Sequence, residues 1–165
     1  MKFSEMTYTR PDPAASKQRL SALTAELKAA KSYEEARKVF LSQQELMSHI
    51  STAATLASIR HSIDTRDKFY DGEEKFWNNF NPELEEYNQA WTAAMLESPF
   101  RADFEKEYGD LMFVNAEIAL KTFSPAIIPE LQQENDLTQE YEKLLASAQI
   151  PFEGKVKLKD GRRLA

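Results

Sequence analysis

An all-α fold, an antiparallel helical bundle, is what this chain of 165 residues predicts. Three observations lead there. Glycine occurs only four times, against abundant Ala, Leu, Glu, Lys and Gln, which are strong helix formers. Apolar residues recur at three- and four-residue spacing, the period of one helix face. Cap residues and prolines punctuate that period where helices would begin and end. The bundle is expected to be either compact or elongated, with a short β-hairpin at its C-terminus.

Residues 1–12 read as an extended arm. Pro11 and Pro13 push their predecessors out of helical geometry, and Asp12 is placed to cap the first helix. From Pro13 to about Lys31, Leu20, Leu23, Leu27 and Ala30 share a face. Ser32 with Glu35 forms a capping box and opens a longer helix over Tyr33 to Ile63. That helix carries two apolar stripes, Phe40, Met47, Ile50, Ala54, Ala57 and Leu46, Ala53, Leu56, Ile63, so it should touch neighbours on two sides. Its second half, STAATLAS, has small side chains that let another backbone approach, which makes it the expected centre of the bundle.

Asp64 and Thr65 offer a cap for a third helix through Phe69, Tyr70, Phe76, Trp77 and Phe80. Asn81-Pro82 predicts a break, followed by a fourth helix or a kinked continuation to Leu96 with Leu84, Tyr87, Trp91, Ala94 and Met95 inward. Ser98-Pro99 starts a short helix carrying Phe100 and Phe104, which Gly109 ends. Asp110 to Phe123 is helical through Leu111, Met112, Val114 and Ile118. The last helix, about Glu130 to Ala148, is expected to bury Leu131, Leu137, Tyr141, Leu144 and Leu145. A helical lobe over 13–148 is thus followed by 149–165, a hairpin turning at Glu153-Gly154 or a frayed basic tail.

A soluble chain of this length hides about 70% of its unfolded surface and suits one domain. The net charge is −6. The last sixteen residues hold five basic and two acidic groups, an excess of three positives, so the body before them carries −9. That body lacks the basic face nucleic acid requires. There is no cysteine, which excludes thiolate chemistry and fits an intracellular setting. The opening MKFSEMTYTRPD lacks the apolar core of a secretory signal, and no run of about 18 apolar residues predicts a membrane span. The expected setting is soluble and cytoplasmic.

Catalytic constellations are sparse. The two histidines, His49 and His61, lie twelve residues apart on one predicted helix. Two imidazoles that share a metal on a helix sit one turn apart, as in HExxH, which this chain lacks. His61 continues an apolar stripe and reads as a hydrogen-bonded core histidine. Glu45 and His49 do not match the Glu-x-x-His spacing of a di-metal bundle. Asp64, Asp67, Glu73 and Glu74, set among Arg60, Arg66 and Lys68, read as caps and ion pairs on a wet surface. No GxSxG or phosphate-binding glycine loop is present. Ten Phe, six Tyr and two Trp are more than a core of this size needs. Phe76, Trp77, Phe80 and Trp91 are therefore candidates for a surface that contacts a partner lobe or a peptide, although their helical spacing also suits a core.

Three segments, MKFSEMTYTRPD, IRHSIDTRDKFYDGEEKFWNNFNP and PELQQENDLTQEYEKLLASAQIPFEGK, resemble the N-terminal region of the M3 family of zinc metallopeptidases. Within that family the resemblance is in particular to the oligoendopeptidase F-type enzymes. The likeness runs from Met1 to about Lys155. It implies a helical lobe forming one wall of a deep peptide channel, in a cytoplasmic enzyme that cuts short peptides. In such an enzyme an HExxH helix and a later glutamate hold the zinc. No catalytic or zinc-binding position of that family falls on this chain, so the resemblance implies no cofactor here and zinc only in the intact enzyme. The implied partners are the catalytic lobe of the parent peptidase or a self-copy, and short peptides. After Gly154-Lys155 the sequence VKLKDGRRLA departs from the family pattern, as a truncated gene, a trimmed piece or a divergent end would. The alternative reading is a stand-alone helical module that binds a protein or peptide.

Overall fold

The computed structural model describes residues 5–122, 124–148, 156–157 and 163–164. Among them six α-helices follow one another: α1 (Pro13–Ala29), α2 (Tyr33–Ile63), α3 (Lys68–Leu96), α4 (Arg101–Tyr108), α5 (Leu111–Thr122) and α6 (Ile128–Ser147), with a 3-10 turn at Pro125–Ile127 before the last. Their starts follow local chemistry. Asp12 accepts the Ala15 N–H at 2.6 Å and caps α1. Ser32 accepts the Glu35 N–H at 3.2 Å, while the Glu35 carboxylate reaches back to the Lys31 N–H at 2.8 Å. This reciprocal cap fixes the start of α2 at the predicted residue. Gly109 ends α4 at φ 86°, in the left-handed region that glycine enters without penalty.

The third helix begins later than its sequence suggests. Asp67, not Asp64, is the N-cap, accepting from the Phe69 and Tyr70 N–H groups at 2.8 and 3.3 Å. Asp64 closes α2 instead and accepts from the Arg66 N–H at 3.1 Å. A helix starting at Asp64 would leave no residues for the reversal between α2 and α3. Of the two alternatives at Pro82, continuation is the one found: α3 runs through it to Leu96. A proline leaves the carbonyl four residues earlier without its N–H. Here the carbonyls of Asn78 and Asn79 are taken by the side-chain amides of Asn135 and Gln132 on α6, at 3.2 and 2.9 Å.

Packing proceeds through two apolar clusters that fix the helix directions. Leu23 and Leu27 of α1 meet Ala36 and Phe40 of α2, Trp91, Ala94 and Met95 of α3, Phe104 of α4 and Phe113 of α5. Leu20 meets Ile50, Ala53 and Ala57 of α2 and Trp77, Phe80 and Leu84 of α3. The early part of α2 therefore faces the late part of α3, so these helices run antiparallel, as do α1 and α2. The small residues of STAATLAS sit where expected, with Ala57 fully buried between its neighbours. Each buried Leu or Phe contributes about 1.5–3 kcal/mol by leaving water. No helix of the described residues is long and apolar enough to cross a membrane.

Other burial expectations are corrected. Ile63 and Phe69 flank the turn between α2 and α3 and are exposed. On α5 the side chain that enters the core is Phe113, whereas Leu111, Val114 and Ile118 face outward. On α6 the expected core residues Leu137, Tyr141, Leu144 and Leu145 are all exposed, and Leu131 is half-buried. The helix turns its polar face to α3, because the carbonyls at the proline attract amide donors that an apolar face cannot supply. At the C-terminus, Val156–Lys157 and Arg163–Leu164 pair antiparallel. Both segments lie beyond Glu153-Gly154, so the hairpin expected about that turn is not supported, and most of 149–165 lies outside the described residues.

Candidate functional site

Of the four aromatic residues singled out from the sequence, Phe76, Trp77 and Phe80 touch one another, while Trp91 sits in the other core cluster, and all but Phe76 are buried. Trp77, Phe80 and Trp91 are 3–7% exposed and belong to the two core clusters. Phe76 is half-buried and stacks on Phe80 with ring centroids 5.2 Å apart. Helix period decides this: positions 77, 80, 84 and 91 fall on the face that α1 and α2 cover. What these rings offer is rigidity behind a surface rather than the surface itself.

The exposed apolar surface lies elsewhere. Along α6, Leu137, Tyr141, Leu144 and Leu145 form one stripe at helical spacing, and Tyr141 and Leu144 are 60% and 66% exposed. On α5, Leu111, Val114 and Ile118 form a second outward stripe. Monomeric proteins rarely leave such stripes uncovered, since contiguous exposed apolar area marks a contact site. The signal was legible as amphipathic period, but period alone does not say which side of a helix meets its own domain.

Neither histidine is placed to hold a metal. His49 is exposed on α2, and His61 is 2% exposed at the junction of α2 and α3. His61 does occupy the core position expected, but its partner is loose: Nε2 stands 3.7 Å from Asp71 Oδ1. Asp71 is itself paired with Lys143 of α6, which holds its carboxyl below the usual range. Among the described residues no group of three or more His, Asp or Glu converges as a metal site would. The donors among the described residues do not fit a catalytic zinc.

The acidic group divides. Asp67 caps the start of α3 and Asp64 closes α2, but Glu73 is 4% exposed rather than on a wet surface. The arm covers it. Arg10 grips Glu73 with two nitrogens, one of them Nε at 2.9 Å, and the Tyr8 hydroxyl donates to the same carboxylate. Trp77 Nε1 donates to Tyr8 Oη at 3.1 Å. Arg10 and its hydrogen bonds hold the Glu73 carboxyl below its ordinary range. Burial, then Glu73, pushes the Tyr8 phenol up to about 12. No local pattern reveals a pair 63 residues apart in sequence.

Comparison with known proteins supplies the context. The peptidase M3 N-terminal domain family matches residues 3–123. A crystal structure provisionally designated oligoendopeptidase F superposes with a TM-score of 0.89 at 40% identity, over 93% of this chain and 27% of that one. PZ peptidase A, solved with an inhibitor, gives 0.88 at 39% identity over 93% and 27%. A protein from Bacillus anthracis str. Ames with the same provisional oligoendopeptidase F designation gives 0.89 at 38% over 93% and 28%. The chain thus spans little more than a quarter of these relatives' length. Among curated proteins none matches.

Proposed function

The chain belongs to the peptidase M3 N-terminal domain family, and from that premise we propose that it is the non-catalytic lobe of an oligoendopeptidase F-type zinc endopeptidase. In this reading it walls the channel that admits short peptides in a cytoplasmic enzyme. The outward stripes of α5 and α6 pack against the zinc-bearing part of the parent enzyme. The observation that carries the proposal is those stripes, on a chain covering about 27% of its relatives. An apolar face of this kind usually marks a contact site, and the relatives, being longer than this chain, carry further residues that would cover it.

The division of labour follows from the residues present. Zinc in the intact enzyme would polarise the scissile carbonyl and generate the hydrolytic nucleophile. Since the donors here do not fit it, this chain's contribution is to shape and exclude. The buried rings of Trp77, Phe80 and Trp91 keep α3 stiff, and the Tyr8–Arg10–Glu73 clasp ties the arm to it.

A chimera tests this. The chain replaces the corresponding quarter of the 40%-identical oligoendopeptidase F, and cleavage of a fluorogenic peptide is measured beside the isolated chain. The chimera is expected to cleave with chelator sensitivity and the isolated chain not to. A well-folded chimera without activity, or chelator-sensitive turnover by the isolated chain, would overturn the proposal. A monomer indifferent to a separately added catalytic part would favour the stand-alone interaction module.

A further inference from the structure

Between α2 and α6, with α3 as its floor, runs a furrow lined mostly by polar side chains, with Ala54 and Trp77 beside them. Two adjoining hollows of about 250 and 230 Å³ share Ser58, Glu74 and Asn78. Ser62, Gln139 and Glu142 line the first of them. Gln139 is 5% exposed, yet among the described residues its Nε2 meets no hydrogen-bond partner, and neither does Glu74 Oε2. The other amide atom of Gln139 is engaged, Oε1 accepting from Asn78 Nδ2 at 3.4 Å. Buried polar groups are rarely left unpaired, because each costs about 1–3 kcal/mol without a partner. One orphan is a donor and the other an acceptor. A peptide backbone offers C=O and N–H together and would satisfy both once the two side chains turn into the furrow, since each orphan atom is closed to solvent in the free chain.

We propose that this furrow is a peptide subsite, taking an extended segment whose C=O accepts from Gln139 and whose N–H donates to Glu74. Dimensions agree. The floor from Glu74 to Asn81 rises about 10 Å along α3, which matches about three extended residues. Glu74 and Glu142 both face the space, so the segment that fits best carries a free amino terminus or a basic side chain. Burial raises the Glu74 carboxyl above its usual range, and an incoming cation relieves that. The proposal rests on the peptidase reading above and assigns part of the substrate's grip to this lobe, away from the reacting bond.

The test titrates the chain itself with trialanine bearing a free amino terminus and follows side-chain amide resonances by NMR. Saturable shifts at Gln139 and Asn78 are expected, weakened about fivefold or more when the amino terminus is acetylated. Gln139→Leu should abolish the shift at Asn78, and Ser58→Arg the shifts at both residues; Ser58 is exposed, so its arginine fills the furrow. Shifts that persist in Ser58→Arg, or that map to α5 and the outer face of α6, would overturn the proposal. In an active chimera Gln139→Leu should raise KM about tenfold with kcat unchanged, the loss of one hydrogen bond made equally in ground and transition states. Unchanged KM would mean that the remainder of the enzyme covers the furrow, and would also overturn it. An inactive chimera defeats the peptidase reading, while the titration still decides the furrow.

Discussion

Asn135 on α6 donates its side-chain amide at 3.2 Å to the Asn78 carbonyl, which lies four residues before Pro82 on α3. The missing hydrogen of the proline creates the acceptor, and a residue 57 positions away fills it. A defect in one helix is thus the docking point of another. The two residues should be energetically coupled. Asn135→Leu alone is expected to lower stability by about 1–2 kcal/mol, because it strands a backbone carbonyl. In a Pro82→Ala background the restored N–H supplies that carbonyl, and the same substitution should cost about 1 kcal/mol less. Urea unfolding of the four proteins in this cycle measures the difference, and strict additivity would refute the coupling.

The arm clasp makes stability fall in acid. The folded-state pKa of Glu73 lies below its unfolded value near 4.5, with the Arg10 hydrogen bond as the leading cause. Its contribution is therefore complete above that value and is lost as pH falls through the lower folded one. Arg10→Ala should cost about 2 kcal/mol at pH 7, less than a fully buried pair because Arg10 is 45% exposed. Limited proteolysis of the arm should accelerate in the variant. Glu73→Gln should flatten the acid limb of the Tm–pH curve; a limb as steep as in the parent would show that other carboxylates control it.

Close packing at the centre of the bundle is expected to tolerate neither excess nor loss. Ala57 is fully buried in the cluster that holds Leu20, Trp77 and Phe80. Ala57→Leu should destabilise by about 1–3 kcal/mol through overpacking. Trp77→Ala should cost about 3–5 kcal/mol through the cavity it leaves, and it also removes the donor to Tyr8. Denaturant midpoints for the two variants check both, and a change below about 0.5 kcal/mol in either would contradict the burial described.

How far the sequence could be read depends on the range of the cause. The span of α2 was predictable to the residue because Ser32 and Glu35 cap it locally. Leu20, Leu23 and Leu27 announce the buried face of α1 by spacing alone. Pro82 left a break and a continuation both open, because what offsets its local penalty is a pair of amides from a distant helix. The same contact inverts α6, whose apolar period was clear and whose facing was not. Glu73 belongs with these cases, since its partners Tyr8 and Arg10 come from the arm. Short-range chemistry was legible; choices among tertiary partners were not.

The outward stripe of α6 leads to the last expectation. Leu137, Tyr141, Leu144 and Leu145 make no part of either core cluster, so replacing them should barely touch the folding of the isolated chain. Tyr141→Asp with Leu144→Asp is expected to change unfolding free energy by less than about 0.5 kcal/mol. Their burial against a catalytic part would be lost, and with it about 1.5–3 kcal/mol for each side chain. Sedimentation of the isolated chain should show self-association at high concentration that the double substitution suppresses. The chimera carrying it should lose thermal stability and activity together. A double variant that unfolds the isolated chain would place these residues in the domain's own core; one that leaves the chimera unaffected would place the interlobe contact elsewhere.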